Sequence, residues 1–580
     1  MENKHRSIDP LTRAVISSAF VNMANEGVDV LDKTAISPIL SEAQDRCLAI
    51  TDAEARLFGM CESGLPLHVA SCELQMKTTL DKFGTDFEPG DVVLQNDPYS
   101  AGGNHLPDWT FTLPIFIDEK LTFFAMVRGH QQDTKGFFPG GYAPGAYDIQ
   151  AEGLLIPPTK VIRGGEATET YDFILHNVRW PEIVRIDNLA MIGGLQKVQE
   201  KTEDLCRKYG RATVLEAMDI VIKDSEQAVR KEIKQWPDGI YLGESIVDRD
   251  GSGNENPTVR TKITIDGDEI VADFSATDSQ VSFVNTPIGT THAMTLMAVI
   301  PRLDPDIPLN HGKLAPVKII TKKGSIVDPE YPATVGACAV FCGNTIIEAI
   351  QLALGQAIPD KVDAQWAPSM EFICFGQDSR TNEPYWLINF QNDGGTGAID
   401  GADGIHGASL TSGGGLIQSF PVELAEIQFP WHTIRWELKT DSAGAGKYRG
   451  GLGTIFETRN DGGDATLETG ACSGENHVPM GLKGGKQGIF AKIWTIRDGV
   501  EDRCPTMGLF SCKRGDIFGT IASGGGGHGD PIERPVNLVR QDVRNGFVSV
   551  ESARDDYRVV IDPEGYEIDI AATDALRSSG

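Results

Sequence analysis

Apolar side chains recur at helical spacing close to the start of the chain. The pair Asp9-Pro10 is typical of a helix N-terminus, because Asp caps the first turn and Pro at the first helical position loses no hydrogen bond. The chain is therefore predicted to begin with a helix over residues 9–26, whose apolar face is formed by Leu11, Val15, Ile16, Ala19, Phe20 and Met23.

Short runs of β-forming residues dominate the next hundred positions. A helix over about 65–83 interrupts them, since apolar residues return there at helical spacing. Residues 1–175 are thus predicted to form a mixed α/β region. Its strands are predicted at 47–52, 56–60, 91–95, 110–117 and 121–128.

Two long amphipathic patterns follow, at 181–209 and 212–236, and Gly210 separates them as in an antiparallel helical pair. The period then changes to that of strands over 239–274, and a further helix is predicted at 345–357. Beyond about residue 420, β-forming residues alternate with Gly and Asp, as in 434–438 and 489–496. This last pattern predicts a β sandwich or a barrel-like layer.

The predicted fold class is therefore α+β with several domains. We expect a mixed α/β region at 1–175, a helical hairpin at 176–238, an α/β middle region at 239–420 and a mainly β region at 421–580. The chain has 580 residues, of which 40% are hydrophobic, so it can bury more than one core.

Charge and cysteine usage narrow the function classes. The formal charge of -30 at pH 7 argues against a nucleic-acid partner, because phosphate binding needs a basic surface. We see neither an apolar leader nor a stretch approaching the roughly 20 apolar residues of a membrane helix, so we expect a cytoplasmic protein without a membrane span. The ten cysteines include no Cys-x-x-Cys pair, which favours buried, unpaired thiols over a zinc or disulfide framework.

Candidate chemistry concentrates at the two ends of a predicted hairpin. His105 and Asp108 lie in a turn rich in Gly and Pro before the strand at 110–117, and His130 ends the strand that follows. Because a hairpin brings its ends together, the three side chains can converge within a few ångströms, as a divalent metal requires. Two imidazoles and a carboxylate suit zinc first, with manganese or iron as alternatives, and they leave room for water or substrate.

Two further carboxylates extend this hypothesis. Asp45 precedes the strand at 47–52 and is a candidate fourth ligand, and Asp133 follows His130 by three residues and is a candidate general base towards water. Spacing alone leaves a simpler interpretation open. In that interpretation the histidines form ordinary hydrogen bonds and Asp133 is a solvated loop carboxylate.

Glycine clusters at 392–397, 412–415 and 523–530 allow two interpretations. Their N–H groups can surround an anion, or the clusters can form tight turns between strands, which is the commoner use. None matches the phosphate loop Gly-x-x-x-x-Gly-Lys-Ser/Thr, because the nearest run, Gly444-Ala-Gly-Lys447, lacks the first Gly and is followed by Tyr448. We therefore expect no nucleotide site of that type, and we interpret His528 as a loop histidine.

Several runs along the chain are characteristic when taken together. They include Asn96-Asp-Pro-Tyr99, Gly103-Asn-His105-Leu-Pro-Asp108, Arg128-Gly-His130, Glu152-Gly-Leu-Leu-Ile-Pro-Pro158, Asp273-Phe-Ser-Ala-Thr277, Asp441-Ser-Ala-Gly-Ala-Gly-Lys447 and Gly524-Gly-Gly-Gly-His528. In this order they resemble the hydantoinase B family, whose members belong to ATP-dependent hydantoinases and oxoprolinases. The resemblance implies a hydantoinase A-type partner with an actin-like ATPase fold, which binds ATP and phosphorylates the carbonyl oxygen of the substrate. The B-type chain would then receive the activated species at a metal site.

The resemblance also implies a ligand set, which carries over to His105, Asp108, His130 and Asp45. One departure concerns Gln131, since many relatives have a second histidine at this position. A Gln can form hydrogen bonds but cannot shuttle a proton at neutral pH, so the role of that second histidine does not transfer.

Three functions stay open at this point. The first is the metal-dependent subunit of an ATP-dependent hydrolase that opens a lactam, hydantoin or oxoproline ring, in a hetero-oligomer such as a heterotetramer with the A-type ATPase. The second is a subunit of an ATP-dependent ketone carboxylase that resembles acetone and acetophenone carboxylases. The third is a scaffold subunit with a structural metal. All three need the same ligands.

Overall fold

The computed structural model describes residues 8–100, 102–368, 370–389, 393–408, 410–471 and 474–578, so that Asn392 and Cys472 lie outside the described residues. The chain divides into two compact units. Unit 1 comprises residues 1–240 and 262–339, and unit 2 comprises residues 241–261 and 340–580. The boundaries of the four regions expected from the sequence stay a prediction.

Helices and strands are mixed in the first 240 residues. The helices are α1 (Pro10–Thr34), α2 (Pro38–Ser41), α3 (Pro66–Val69), α4 (Cys72–Phe83), α5 (Glu169–Leu175), α6 (Pro181–Tyr209) and α7 (Arg211–Ile233). The strands are β1 (Arg46–Asp52), β2 (Leu57–Met60), β3 (Val92–Gln95), β4 (Asp108–Ile117), β5 (Lys120–His130), β6 (Thr159–Arg163) and β7 (Glu166–Ala167).

Strands are more frequent in the rest of the chain. The helices there are α8 (Ile288–Val299), α9 (His311–Leu314), α10 (Gly343–Ala357), α11 (Val422–Gln428), α12 (Val536–Arg544), α13 (Val550–Asp555) and α14 (Ile570–Ser578). The strands are β8 (Gly239–Ile246), β9 (Thr258–Asp266), β10 (Glu269–Asp273), β11 (Val317–Ile320), β12 (Met370–Asp378), β13 (Glu383–Asn389), β14 (Trp431–Leu438), β15 (Thr454–Asn460), β16 (Ala465–Ala471), β17 (Lys492–Arg497), β18 (Val500–Cys504), β19 (Met507–Cys512) and β20 (Ile517–Ile521).

An antiparallel sheet with strand order β2-β1-β5-β4-β3-β6-β7 forms the body of unit 1. Nearly all residues of β1, β4 and β5 are buried, so these central strands are covered on both faces. Helices α1 and α6 pack together beside the sheet. They approach closely where Gly27 meets Gly194, since a Cβ on Gly27 would lie 2.9 Å from the Gly194 oxygen.

Two antiparallel sheets form the β part of unit 2, with strand orders β13-β12-β16-β19 and β14-β15-β20-β17-β18. An aromatic cluster joins them, in which the ring of Phe372 lies 4.9 Å from that of Trp431 and 4.9 Å from that of Phe518. Because these rings come from β12, β14 and β20, the two sheets share one hydrophobic core. This is the arrangement of a sandwich.

A second feature of unit 2 is a main-chain core, in which several glycine-containing segments pack and hydrogen-bond through their backbones. The segment 524–527 bonds through its main chain to several other segments: Gly525 N–H donates to Gly451 O, Gly526 N–H to Gln365 O, and Gly527 N–H to Lys486 O. A Cβ on Gly525 would lie 2.0 Å from the Thr396 oxygen. The glycines therefore allow main chains to pack against each other, which is neither a tight turn nor a loop around an anion.

The predicted fold class, α+β, is confirmed, and the helical pair is found as α6 and α7. The single helix predicted over about 65–83 is wrong, because α3 ends at Val69 and α4 begins at Cys72. Helices α12, α13 and α14 follow the last strand of unit 2, where no helix is predicted from the sequence.

One expectation about apolar stretches needs correction. The helical segment Cys338–Ala357 has 20 residues and a mean hydropathy of 1.5, so it is long and apolar enough to cross a membrane. However, 89% of its apolar window is buried within the protein, as in the core helix of a globular fold. The sequence analysis overlooked this segment because polar residues such as Asn344 and Glu348 interrupt it; both are buried.

Candidate metal centre

Three neighbouring strands of unit 1 bring the predicted ligands to one end of the sheet. Asp108 at the start of β4 pairs with His130 at the end of β5. Strand β1 pairs with β5 on its other side, and His130 N–H donates to the carbonyl oxygen of Asp45, which directly precedes β1. His105 lies in the turn before β4, where its carbonyl accepts from Asp108 N–H. The hairpin argument from the sequence therefore describes this placement correctly.

The side chains of these residues converge within the protein. His105 Nε2 lies 3.2 Å from Asp108 Oδ1, and His130 Nδ1 lies 3.6 Å from the same oxygen and 3.8 Å from Asp45 Oδ2. Ligand atoms of His105, Asp108 and His130 all lie within 4.8 Å of one another, and the three residues are buried. The structure thus brings together the group that the sequence predicts.

The unmet hydrogen-bonding capacity of the carboxylates gives a test of whether a metal fits. Asp45 Oδ1 and Asp108 Oδ1 are buried and accept no hydrogen bond. Leaving a charged oxygen without a partner in the interior is costly, and a divalent cation supplies the missing partner. With two imidazoles alongside, the donor set suits zinc, manganese or iron.

His68 is a member of the cluster that the sequence analysis missed. It lies in α3 and is 1% exposed, and its Nε2 lies 3.2 Å from Asp45 Oδ1 and 3.7 Å from Asp108 Oδ2. Arg128 of β5 holds this region in place by donating to Ser71 Oγ at the start of α4. No spacing pattern marks His68, since it is separated from the other histidines by a helix and a strand.

Neighbouring groups orient the cluster. His105 donates from Nδ1 to the carbonyl oxygen of Gly336 at 2.7 Å, which leaves its Nε2 facing Asp108. The carboxylate of Glu152 accepts from the N–H groups of Val335 and Gly336 at 2.9 and 2.8 Å, so it fixes the peptide that fixes His105. Such supporting hydrogen bonds are usual around metal-binding histidines.

Asn104 supports the carboxylate of Asp108. Its Nδ2 donates to Asp108 Oδ2, and its Oδ1 accepts from Thr290 Oγ1 at 2.7 Å. The Asn104 amide is therefore held from both sides, and it restricts the rotation of the Asp108 side chain. A carboxylate that cannot rotate presents each oxygen in a fixed direction.

Burial and these close contacts shift the pKa values of the cluster. Burial alone would raise the pKa of Asp108, but the imidazoles of His105 and His68 hold it well below its ordinary value. Burial alone would lower the pKa of His105, but the charge of Asp108 raises it to about 9. Burial raises the pKa of Glu152 to about 8. The cluster thus keeps Asp108 ionised, as a ligand requires.

Asp133 and Gln131 make other contacts. Asp133 is fully buried; its Oδ1 accepts from the Arg179 guanidinium at 2.9 Å, and its Oδ2 accepts from the N–H groups of Arg179 and Lys135. Gln131 donates to the carbonyl oxygen of Gly129. The general-base role of Asp133 stays a prediction, and its contacts favour a role in holding the loop after β5.

Fold and site together define a protein of mixed helix and sheet with a buried histidine and carboxylate centre in its first unit. A model of the Hydantoinase B/oxoprolinase family matches residues 9–531. The beta chain of caprolactamase from Pseudomonas jessenii is 30% identical over 99% of this chain and 100% of its own length. The B chain of a putative D-/L-hydantoinase from Pseudomonas sp. (strain NS671) is 28% identical over 99% of this chain and 98% of its own length.

Solved structures agree with this match. ATP-dependent caprolactamase from Pseudomonas jessenii superposes with a TM-score of 0.92 at 30% identity, over 99% of this chain and 100% of that one. Nucleotide-free acetone carboxylase superposes with a TM-score of 0.88 at 19% identity, over 99% of this chain and 83% of that one, which shows a shared fold. The chain belongs to the hydantoinase B/oxoprolinase family, which confirms the resemblance noted in its motifs.

Proposed function

We propose that this chain is the metal-binding subunit of an ATP-dependent enzyme that hydrolyses a cyclic amide, such as a lactam, a hydantoin or oxoproline. The relatives named as a caprolactamase and a hydantoinase support this substrate class. The observation that carries the proposal is the buried convergence of His105, Asp108 and His130, together with carboxylate oxygens that accept no hydrogen bond. Asp45 is the proposed fourth ligand.

A divalent ion, with zinc preferred over manganese or iron, supplies Lewis acidity, which polarises a carbonyl or phosphoryl oxygen and lowers the pKa of water to about 7 in favourable sites. The chain's own residues orient its ligands. Glu152 and Gly336 fix the ring of His105, and Asn104 fixes the carboxylate of Asp108. Burial of the cluster limits the entry of bulk water, which strengthens each charge interaction.

ATP enters the proposal through a second protein chain. Resonance makes an unstrained amide resistant to attack, and phosphorylation of its oxygen turns the carbonyl carbon into a good electrophile. The chain has no phosphate loop, so we assign ATP binding to a hydantoinase A-type ATPase in a hetero-oligomer such as a heterotetramer. Both relatives are named as one subunit of a larger enzyme, which supports such an assembly. The cysteines of the described ranges are buried, and we place the enzyme in the cytoplasm, where thiols stay reduced.

The test is to purify the chain with its ATP-binding partner and to supply ATP with panels of lactams, hydantoins and ketones, with and without bicarbonate. We expect ATP-dependent ring opening of a cyclic amide that does not require bicarbonate. Product formed from a ketone with stoichiometric consumption of bicarbonate would contradict hydrolysis and establish a carboxylase instead.

The matched variants are His130→Ala and His176→Gln. His130→Ala should lower turnover by more than about 100-fold, because even residues that only support metal ligands contribute 10–100-fold. The complex with the partner should still assemble, as measured by gel filtration. His176→Gln removes an exposed imidazole of the same unit and should leave turnover unchanged. Full activity of His130→Ala would contradict a catalytic metal.

A further inference from the structure

Unit 1 contains a cavity of about 460 Å³ whose lining includes none of the residues of the candidate metal centre. Its volume lies within the range of about 300–1,000 Å³ that is usual for small-molecule sites. Most of its wall is formed by helix α4, helix α8, the stretch from α9 to β11, and the turn between β1 and β2. These segments all belong to unit 1, so the cavity is a feature of that unit alone.

The spacing of residues in these segments gives the cavity a largely apolar lining. In α8 the lining residues His292 and Leu296 are four positions apart, which is the spacing of one helix face. In β11 the lining residues Val317 and Ile319 are two positions apart, which places them on one face of the strand. The other large apolar side chains of the lining are Leu74, Leu80 and Leu314. A ligand with a hydrocarbon part would remove this apolar surface from water, which favours binding.

His311 is a lining residue whose hydrogen-bonding capacity is only half used. Its Nδ1 donates to the carboxylate of Glu73 at 3.0 Å, and this hydrogen bond raises the pKa of His311 above its ordinary value. A protonated imidazole carries a second N–H, at Nε2, and no acceptor for it lies in the part of the chain that the structure describes. The carboxylate of Glu73 is fully engaged, because its Oε1 also accepts from Leu57 N–H at 2.8 Å. The pair therefore contributes a spare donor to the lining.

Two further lining residues offer donors. Lys77 lies one helical turn after Glu73 in α4, and its exposed ammonium forms no ion pair with any described residue. Burial lowers the pKa of His292 to about 4, so that its ring is neutral and donates one hydrogen bond. Within the described ranges no side chain or carbonyl group accepts that bond. One positive charge and two spare N–H donors thus line the same apolar cavity.

A cationic ligand is the competing occupant, since Glu54 and Glu73 are also lining residues. Glu73 is occupied by the contacts described above. Glu54 is exposed to water, and the nearest cation to it, the Arg56 guanidinium, lies 3.8 Å away. Arg56 itself is held by Asp52 and Asp219 at 2.7 and 2.8 Å, so its charge is balanced within the protein. The unmet capacity of the lining is therefore for an acceptor with negative charge.

We propose that this cavity binds a small monocarboxylate with an apolar chain. The carboxylate accepts from Lys77, His292 and His311, and the hydrocarbon chain lies against the leucines of α4, α8 and α9. This inference adds a second ligand site to unit 1 and does not depend on the metal centre, so its failure would leave the proposed function standing.

The test is to titrate the full chain with hexanoate by isothermal titration calorimetry and to repeat the titration with acetate, hexanol and hexylamine. Hexanoate should bind at least about tenfold more tightly than acetate, because it buries four more methylene groups. Hexanol and hexylamine should bind more weakly than hexanoate, because neither carries a negative charge. Hexylamine or hexanol binding as tightly as hexanoate overturns the assignment of an anion, and acetate binding as tightly overturns the apolar part. No measurable binding of hexanoate overturns the site.

Two variants locate the bound carboxylate. Lys77→Gln should weaken hexanoate binding about two- to fivefold, as expected for an exposed ion pair. His292→Leu should weaken it about tenfold, as expected for a hydrogen bond to a charged group. Lys33→Gln is the matched control, because it removes an exposed lysine of α1 in the same unit, and it should leave binding unchanged.

The variants also exclude other places for the carboxylate. Equal losses in Lys77→Gln and Lys33→Gln would show a general effect of charge and overturn the cavity. Unchanged affinity in Lys77→Gln with loss of binding in His130→Ala would place the carboxylate at the metal centre and overturn it too. If His292→Leu fails to fold, as judged by circular dichroism, the ligand series and Lys77→Gln still decide, because Lys77 is exposed.

Discussion

Asp133 is buried and forms an ion pair with the partly exposed Arg179, and the two substitutions Asp133→Asn and Arg179→Gln test the role of this pair. Each removes a charged hydrogen bond, so each should lower the free energy of unfolding by about 1.5–3 kcal/mol. Thermal melting of the two variants measures this loss. Similar losses, with turnover reduced to a similar extent, are expected if the pair holds the loop after β5.

The opposite result would assign a catalytic role to Asp133. Asp133→Asn would behave as a lost general base if it abolished turnover at an unchanged melting temperature while Arg179→Gln stayed active. The sequence places Asp133 three residues from His130, but it does not reveal that Arg179, 46 residues further on, binds its carboxylate.

Sequence reasoning could place three members of the cluster together because one hairpin positions them. His105, Asp108 and His130 belong to β4, β5 and the turn before them, where chain connectivity alone implies proximity. Asp45 was proposed from its place before β1 and from the family resemblance, and the pairing of β1 with β5 that brings it to His130 is seen only in the structure. His68 could not be found in this way, because α3 reaches the centre through tertiary packing that no local pattern encodes.

At the scale of helices and strands, long periodic patterns were sufficient to predict a helix from the sequence, and short patterns were not. The amphipathic patterns at 181–209 and 212–236 agree with α6 and α7 to within a few residues. Helices α12 and α13 have nine and six residues, which gives too few turns for a clear period. The break between α3 and α4 is invisible in the sequence because apolar residues continue across it.

The glycine segments of unit 2 yield a prediction about stability. Overpacking typically costs about 1–3 kcal/mol, and Gly525→Ala should lower the free energy of unfolding by at least this much. The added Cβ would lie 2.0 Å from the Thr396 oxygen and 2.2 Å from the Thr396 carbonyl carbon. Main chain cannot move aside as a flexible side chain can. The melting temperature of the variant measures the effect.

Gly413→Ala is the matched control within unit 2. Its added Cβ would meet the side chain of Leu410 at 3.5 Å, which is an ordinary contact, so the melting temperature should change little. Equal melting temperatures for Gly525→Ala and the wild-type protein would show that these segments are loosely packed. From the sequence, turns and anion loops were the only interpretations, because local patterns do not reveal which distant main chains come together.

At the scale of the whole molecule, two relatives are named as single subunits of a larger enzyme. The chain matches both of them over nearly their whole length. It covers 100% of the caprolactamase beta chain and 98% of the hydantoinase B chain. Under the proposed division between two subunits, we expect no ATP turnover by the purified chain alone, and turnover that depends on both substrate and partner once the proposed ATPase subunit is added. A phosphate-release assay measures both. Sustained ATP turnover by the single chain would place the nucleotide site here.

The main-chain core of unit 2 also imposes an order on folding. Its hydrogen bonds join positions that are far apart in the chain, such as Gln365 with Gly526 and Gly451 with Gly525. Contacts of this range form slowly, because a long loop must close before they can add stability. During synthesis, this core therefore cannot fold until residue 527 has left the ribosome. Until then the main-chain N–H and C=O groups of the earlier segments can bond only to water or to a chaperone.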